Sequence, residues 1–319
     1  MKNQTFLIVI RGLAPFSSTK YNTSSLTMKS SLRLLIPLFF VLLPCGRSFA
    51  DFTWQGVSDS SFANSGNWDV APVPNSTNSG AIIIGNNSGK PLIYTENEGS
   101  TTFTGQLKVG KDDESHSPGE LVVKGGKLTI SDANWGASIG QTTSGTVTVS
   151  GGSLNLTGGH ATFVGNEGNG TINLTNGTIF VDGDLYVARN SAISGQNNGA
   201  LIKISGGKFT VGGQTIFDVD GGAGAGGSGL KEIEFDSGDG TFVQTNSGEL
   251  QFPGPNDADT AYVNFVKGSK GVLSLHGATQ SYFEELVNKG RIKVNGQTAR
   301  PSDFQFSTAD GQGLYKLSP

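Results

Sequence analysis

The sequence predicts an all-β protein: a single-stranded parallel β-helix (β-solenoid), coiled right-handedly by the usual crossover preference, with an N-terminal cap and a C-terminal cap containing one short helix. Three observations carry this expectation. Forty-eight glycines in 319 residues and a charged fraction of 15% describe a chain dense in turns and poor in helix, while 35% hydrophobic residues with 19 phenylalanines suffice for a core. Paired corner residues, Gly125-Gly126, Gly151-Gly152, Asn176-Gly177 and Gly206-Gly207, recur at intervals of 26, 25 and 30. Apolar residues alternate with polar ones on both sides of each corner, as in Val147, Val149, Leu154 and Leu156 or Ile172, Leu174, Ile179 and Val181.

In chain order, the true start is expected at Met28, with residues 1-27 an extension ahead of it. Residues 28-50 have the order of a secretory signal peptide. Lys29 and Arg33 precede the apolar run Leu34 to Cys45, and the small-x-small ending Ser48-Phe49-Ala50 places cleavage before Asp51. A run interrupted by Pro37 and Pro44 is short for a bilayer span, and Pro44 fits poorly before a lipidated Cys45. The exported chain is therefore expected outside the cell, secreted or at the cell surface, with no integral membrane segment after cleavage.

Removing the leader changes the charge. Residues 1-50 hold six basic residues and no acid, which leaves 16 basic against 26 acidic residues and a net charge of about −10. Nucleic acid is not an expected partner of such a chain. The single cysteine, Cys45, also lies in the leader, so disulfide, zinc-thiolate and cysteine-nucleophile chemistry are not expected after processing.

Residues 51-80 read as the N-terminal cap, with Trp54, Asn67-Trp68, Pro72 and Pro74 outside the repeat pattern. Residues 81-252 carry the β-helix repeats. Each unit opens on a short strand, Ile82-Ile84, Leu107-Val109, Ala137-Ile139, Thr162-Val164 or Leu185-Val187, followed by the two strands that flank the corner. Asn176 is the one replacement at the first corner position, and as the non-glycine residue best suited to a left-handed backbone it predicts positive φ there. Gly221 to Gly227 reads as a loop. A β-sandwich and a propeller are the alternatives, the propeller requiring longer, four-stranded units.

Residues 253-319 form the C-terminal capping region. Ser281 and Glu284 have capping-box spacing, Phe283, Leu286 and Val287 share a helical face, and Gly290 ends the helix. A hairpin over Ile292 to Gly296 and strands near Phe304-Phe306 and Leu314-Tyr315 follow.

Repeats such as Gly145 to Leu156, together with the Trp54 and Asn67-Trp68 opening, resemble bacterial secreted β-helix proteins of the autotransporter-passenger type with autotransporter-associated β-strand repeats. The likeness spans roughly residues 53 to 295. It implies a β-helix and a role among adhesins, surface-layer components or polysaccharide lyases. Only eighteen residues follow Pro301, so the carboxy-terminal membrane barrel of a full autotransporter is not expected.

No constellation of reactive residues stands out, so no catalytic, cofactor-binding or metal site and no cofactor is expected. Asp182 and Asp184, with Asp218 and Asp220, offer oxygen ligands for calcium but suit turns equally well, and no calcium-loop pattern accompanies them. Asp236 to Gly240 reads as a turn. A lyase needs a base beside cations that neutralise a sugar carboxylate, and the coils supply only Arg189, Lys203 and Lys208, Arg189 being paired more simply with Asp184. His116, His160 and His276 have no partner at telling spacing. Thr146, Thr148, Thr171 and Asn173 suggest an outward threonine array, which Glu120, Val122 and Lys203 interrupt. Trp135 and Tyr186 are candidates for stacking on a sugar ring, and equally for packing.

The expected function is that of a secreted, non-enzymatic structural or adhesive protein of the cell surface or extracellular matrix, with cell-surface components or polysaccharide as partners. A polysaccharide-binding or polysaccharide-degrading β-helix is the alternative. It would show acids, bases and aromatics from successive coils clustered on one sheet.

Overall fold

Period-2 alternation puts one set of side chains on each face of a strand, and glycine corners turn the chain by about a third of a coil after each strand. The computed structural model shows the result: about seven turns of a parallel β-solenoid, three strands to a turn, with one short α-helix among the described residues. It describes residues 51–75, 80–85, 89–111, 118–131, 136–189, 199–217, 229–252 and 260–318. The leader, Gly221 to Gly227, His116, Trp135, Asp218 and Asp220 lie outside the described residues.

The first sheet has seven strands, Phe52–Thr53, Ile82–Ile84, Leu107–Val109, Ala137–Ile139, Thr162–Val164, Leu185–Val187 and Thr215–Phe217. The second runs in parallel through Leu92–Tyr94, Gly119–Val123, Gly145–Val149, Gly170–Leu174, Ala200–Ile204, Lys231–Phe235, Ala261–Phe265 and Ile292–Val294, and Gln297–Thr298 closes it antiparallel. The third begins at Ser100–Phe103 and continues through Lys127–Ser131, Ser153–Thr157, Thr178–Val181, Lys208–Val211, Thr241–Gln244 and Val272–His276. The antiparallel hairpin of Phe304–Ala309 and Gln312–Leu317 ends it.

Inward residues stack in register into columns. Val149, Leu174 and Ile204 are partners on successive coils, and so are Leu156, Val181 and Val211; all six are buried. The columns change chemistry along the axis: Ile204 is followed by Phe235 and Phe265, and Ile179 by Phe209 and Phe242. Phe235 and Phe265 stack at 4.6 Å between ring centroids, about one inter-strand spacing. Phenyl rings thus fill in the later coils the inward positions that isoleucine, leucine and valine fill in the earlier ones.

The corner between the second and third sheets corrects one expectation. Positive φ falls on its second residue, Gly126, Gly152, Gly177 and Gly207, and not on the position that Asn176 occupies. Asn176 uses its side chain differently, with Oδ1 accepting the Gly177 N–H at 2.8 Å. A second corner, after the first sheet, places Gly110, Gly140 and Gly165 at positive φ, and Ala188 adopts the same conformation at φ 60°.

Both ends are covered by aromatic clusters. Trp54 and Trp68 meet edge to face at 5.3 Å, Phe62 packs on Trp68 at 5.5 Å, and the indole N–H groups donate to the carbonyls of Lys90 and Phe62. At the other end the helix Gln280–Asn288 buries Phe283, Leu286 and Val287, with Phe283 stacked on Tyr315 at 4.5 Å. Its N-cap is Thr279, whose Oγ1 accepts the Tyr282 N–H, so Ser281 and Glu284 lie inside the helix and form no capping box. The turn Asn295-Gly296, at φ 51° and 71°, makes the hairpin expected there.

Candidate functional site

Register decides which outward side chains become neighbours. On the second sheet one outward column runs Glu120, Thr146, Thr171, Leu201, Glu232, Tyr262, and the next runs Val122, Thr148, Asn173, Lys203, Glu234, Asn264, Lys293. The threonine array is therefore confined to two coils, as the interruptions at Glu120, Val122 and Lys203 predict. From Ala200–Ile204 onward the same face turns charged.

That charged face is a connected strip. Lys203 Nζ lies 3.1 Å from Glu234 and 3.1 Å from Asp236, and these two partners hold the ammonium's proton more tightly than usual. Asp236 is held below the ordinary carboxylate range, first by the Ser237 backbone N–H and then by Lys203. Asp236 thus makes the expected turn and an ion pair that spacing did not reveal. One coil further, Lys293 Nζ sits 4.1 Å from the Tyr262 ring centroid, and Asn264 Oδ1 accepts the Gly296 N–H at 2.9 Å.

Glu232 stands apart in this strip. It is 5% exposed, its Oε1 has no hydrogen-bond partner among the described residues, and burial pushes its carboxyl above the usual range; a hydrogen bond from Asn264 and the charges of Lys293 and Lys203 only partly offset this. Tyr262 is also buried, at 8% exposed. Acids, bases and an aromatic do converge on one sheet, but as a packed surface whose ring and innermost carboxyl are covered.

The other residues weighed from sequence fall apart. Asp182 Oδ2 accepts the Gly159 N–H and Asp184 Oδ1 the Gln214 N–H, so both carboxylates tie corners of adjacent coils. Arg189 follows a first-sheet strand, Lys203 is on the second sheet and Lys208 on the third, and the structure does not bring them together. The Arg189 guanidinium lies 5.0 Å from the Phe163 ring centroid. Tyr186 stacks on that ring at 5.0 Å, so an aromatic face wanted for sugar binding is taken by a neighbouring coil. His160 lies at a corner, between the strands Ser153–Thr157 and Thr162–Val164.

His276 is the exception that spacing concealed. It borders one cleft with Ser247 and Glu249, residues that precede it by about one coil. That separation was the available signal. Comparison with protein families, with curated proteins and with solved structures gave no match in any of the three.

Proposed function

We propose that this chain is a secreted, non-enzymatic β-solenoid serving as a structural or adhesive component of a cell surface or extracellular matrix, similar in kind to the passengers of autotransporter-associated repeats. Its contact surface is the outward face of the second sheet. The observation that carries this reading is the accessible cluster of Lys203, Glu234 and Asp236, in which neighbours on successive coils are ion-paired, whereas Glu232, Tyr262, Asn264 and Lys293 beside it are buried and serve as its support. Charged side chains clamped in this way present a pre-ordered surface, so binding a partner costs less side-chain entropy.

A polysaccharide-directed role is the second reading, favoured by the same convergence of acids, bases and Tyr262. The covered ring and the buried Glu232 weigh against an open sugar groove there. The test is adherence of beads coated with the chain to bacterial cells, with Lys203→Glu as the comparison. Reversing that charge should reduce adherence several-fold with the circular dichroism spectrum unchanged. Unchanged adherence, or release of unsaturated sugar product from polysaccharide, sinks the non-enzymatic contact-face reading.

A further inference from the structure

We infer that the cleft at the C-terminal cap binds a single neutral sugar ring. It lies where the third-sheet strand Val272–His276 meets the N-terminus of the helix Gln280–Asn288, and has a volume of about 250 Å³. That size admits one hexose ring and little more. Ser247, Glu249, His276, Ala278, Thr279 and Tyr282 line it.

The cleft is built rather than incidental, because the segment carrying Ser247 and Glu249 is pinned from two sides. The fully buried Gln244 donates through Nε2 to the Gly248 carbonyl at 2.7 Å. The Leu250 N–H donates to the Tyr282 hydroxyl at 2.8 Å, and that hydroxyl donates back to the Leu250 carbonyl at 3.5 Å. The Tyr282 hydroxyl is thereby spent on the main chain, so the residue contributes its ring.

The polar rim is equally ordered. Gln312 is oriented by the Ser274 hydroxyl, which donates to its Oε1 at 3.1 Å, and its Nε2 donates to His276 Nδ1 at 3.2 Å. In the tautomer that accepts this bond at Nδ1, the imidazole offers its Nε2–H as a donor. Thr279 Oγ1 already accepts the Tyr282 N–H, which leaves its hydroxyl proton to donate. Glu249 supplies acceptors and Ser247 both functions.

Donors and acceptors side by side, next to an aromatic ring, match a polyhydroxylated ring, whose hydroxyls donate and accept and whose C–H face is apolar. Glu249 disfavours an anionic sugar. The positive end of the helix disfavours a cation. This inference stands on a different part of the surface from the second-sheet strip and does not depend on it.

The test is ligand-observed saturation-transfer NMR on the whole chain with D-glucose, D-galactose, D-mannose and N-acetyl-D-glucosamine, and with D-glucuronate as the anionic comparison. At least one neutral sugar should bind with a Kd on the order of millimolar, and glucuronate more weakly. Glu249→Gln and His276→Ala should each weaken binding several-fold with the thermal melt unchanged, and Ala278→Phe should abolish it by filling the space. Absence of binding by all four neutral sugars, equal or tighter binding of glucuronate, or binding that survives both Glu249→Gln and His276→Ala overturns the assignment. Such a failure leaves the contact-face reading intact, since that reading is decided by adherence.

Discussion

Replacing Gly177 by Ala tests the corner geometry on which the coil depends. Gly177 has φ 83°, and a Cβ built there falls 2.5 Å from the Gly152 carbonyl oxygen, the same oxygen that accepts the Thr178 N–H at 3.0 Å. The left-handed backbone costs an alanine about 1–2 kcal/mol. Relieving the contact means moving one coil against the next, an overpacking strain of about 1–3 kcal/mol. The expected loss is therefore about 2–5 kcal/mol. Asn176→Ala is the matched control: it removes only an exposed bond to the Gly177 N–H and should cost about 0.5–1 kcal/mol. Urea unfolding of the full chain, followed by far-ultraviolet circular dichroism, measures both, with equal m-values needed for the comparison. Gly177→Ala within about 0.5 kcal/mol of the parent, or Asn176→Ala costing as much as Gly177→Ala, would refute the assignment of positive φ to the second corner residue.

Three further outcomes are expected. Leu174→Ala, between Val149 and Ile204 in a fully buried column, should cost about 2–5 kcal/mol, whereas the outward Asn173→Ser should stay within about 0.5 kcal/mol; equal losses in the same unfolding assay would contradict the inward assignment. Because burial raises the Glu232 carboxyl above its unfolded value, the native state binds that proton more tightly, and the group's contribution to stability falls as pH rises from the ordinary carboxylate range through the raised value. Glu232→Gln should therefore melt higher than the parent at about pH 7 and coincide with it at about pH 4, and a variant that melts lower at neutral pH would show the carboxylate to be stabilising. Since Asp182 and Asp184 serve backbone N–H groups, melts with excess calcium and with chelator should coincide; a shift of several degrees that Asp182→Asn abolishes would reveal a cation site.

The coil was legible in the sequence because its causes are local and repeated. Alternation of two residues decides which side of Val147 to Val149 faces inward, and the pairs at Gly151-Gly152 or Gly206-Gly207 mark where each strand must turn; both signals recur in successive units, so each confirms the others. The caps were legible only as departures from that pattern. At the helix, Thr279 and Ser281 are both chemically fit to be the N-cap, and packing of Phe283, Leu286 and Val287 against the last coil selects Thr279.

Tertiary structure alone decided which outward residues share a neighbourhood. Adjacent coils differ in length, so the sequence distance between lateral neighbours is not constant: Thr146 and Thr171 are paired across 25 residues, Leu201 and Glu232 across 31. A single change of register replaces every outward neighbour, and the ion pairs of Lys203, the burial of Glu232 beside Tyr262 and the place of His276 and Glu249 on one cleft all depend on it. Inward positions tolerate this uncertainty because any apolar side chain satisfies the core, whereas a binding surface depends on which particular groups stand side by side.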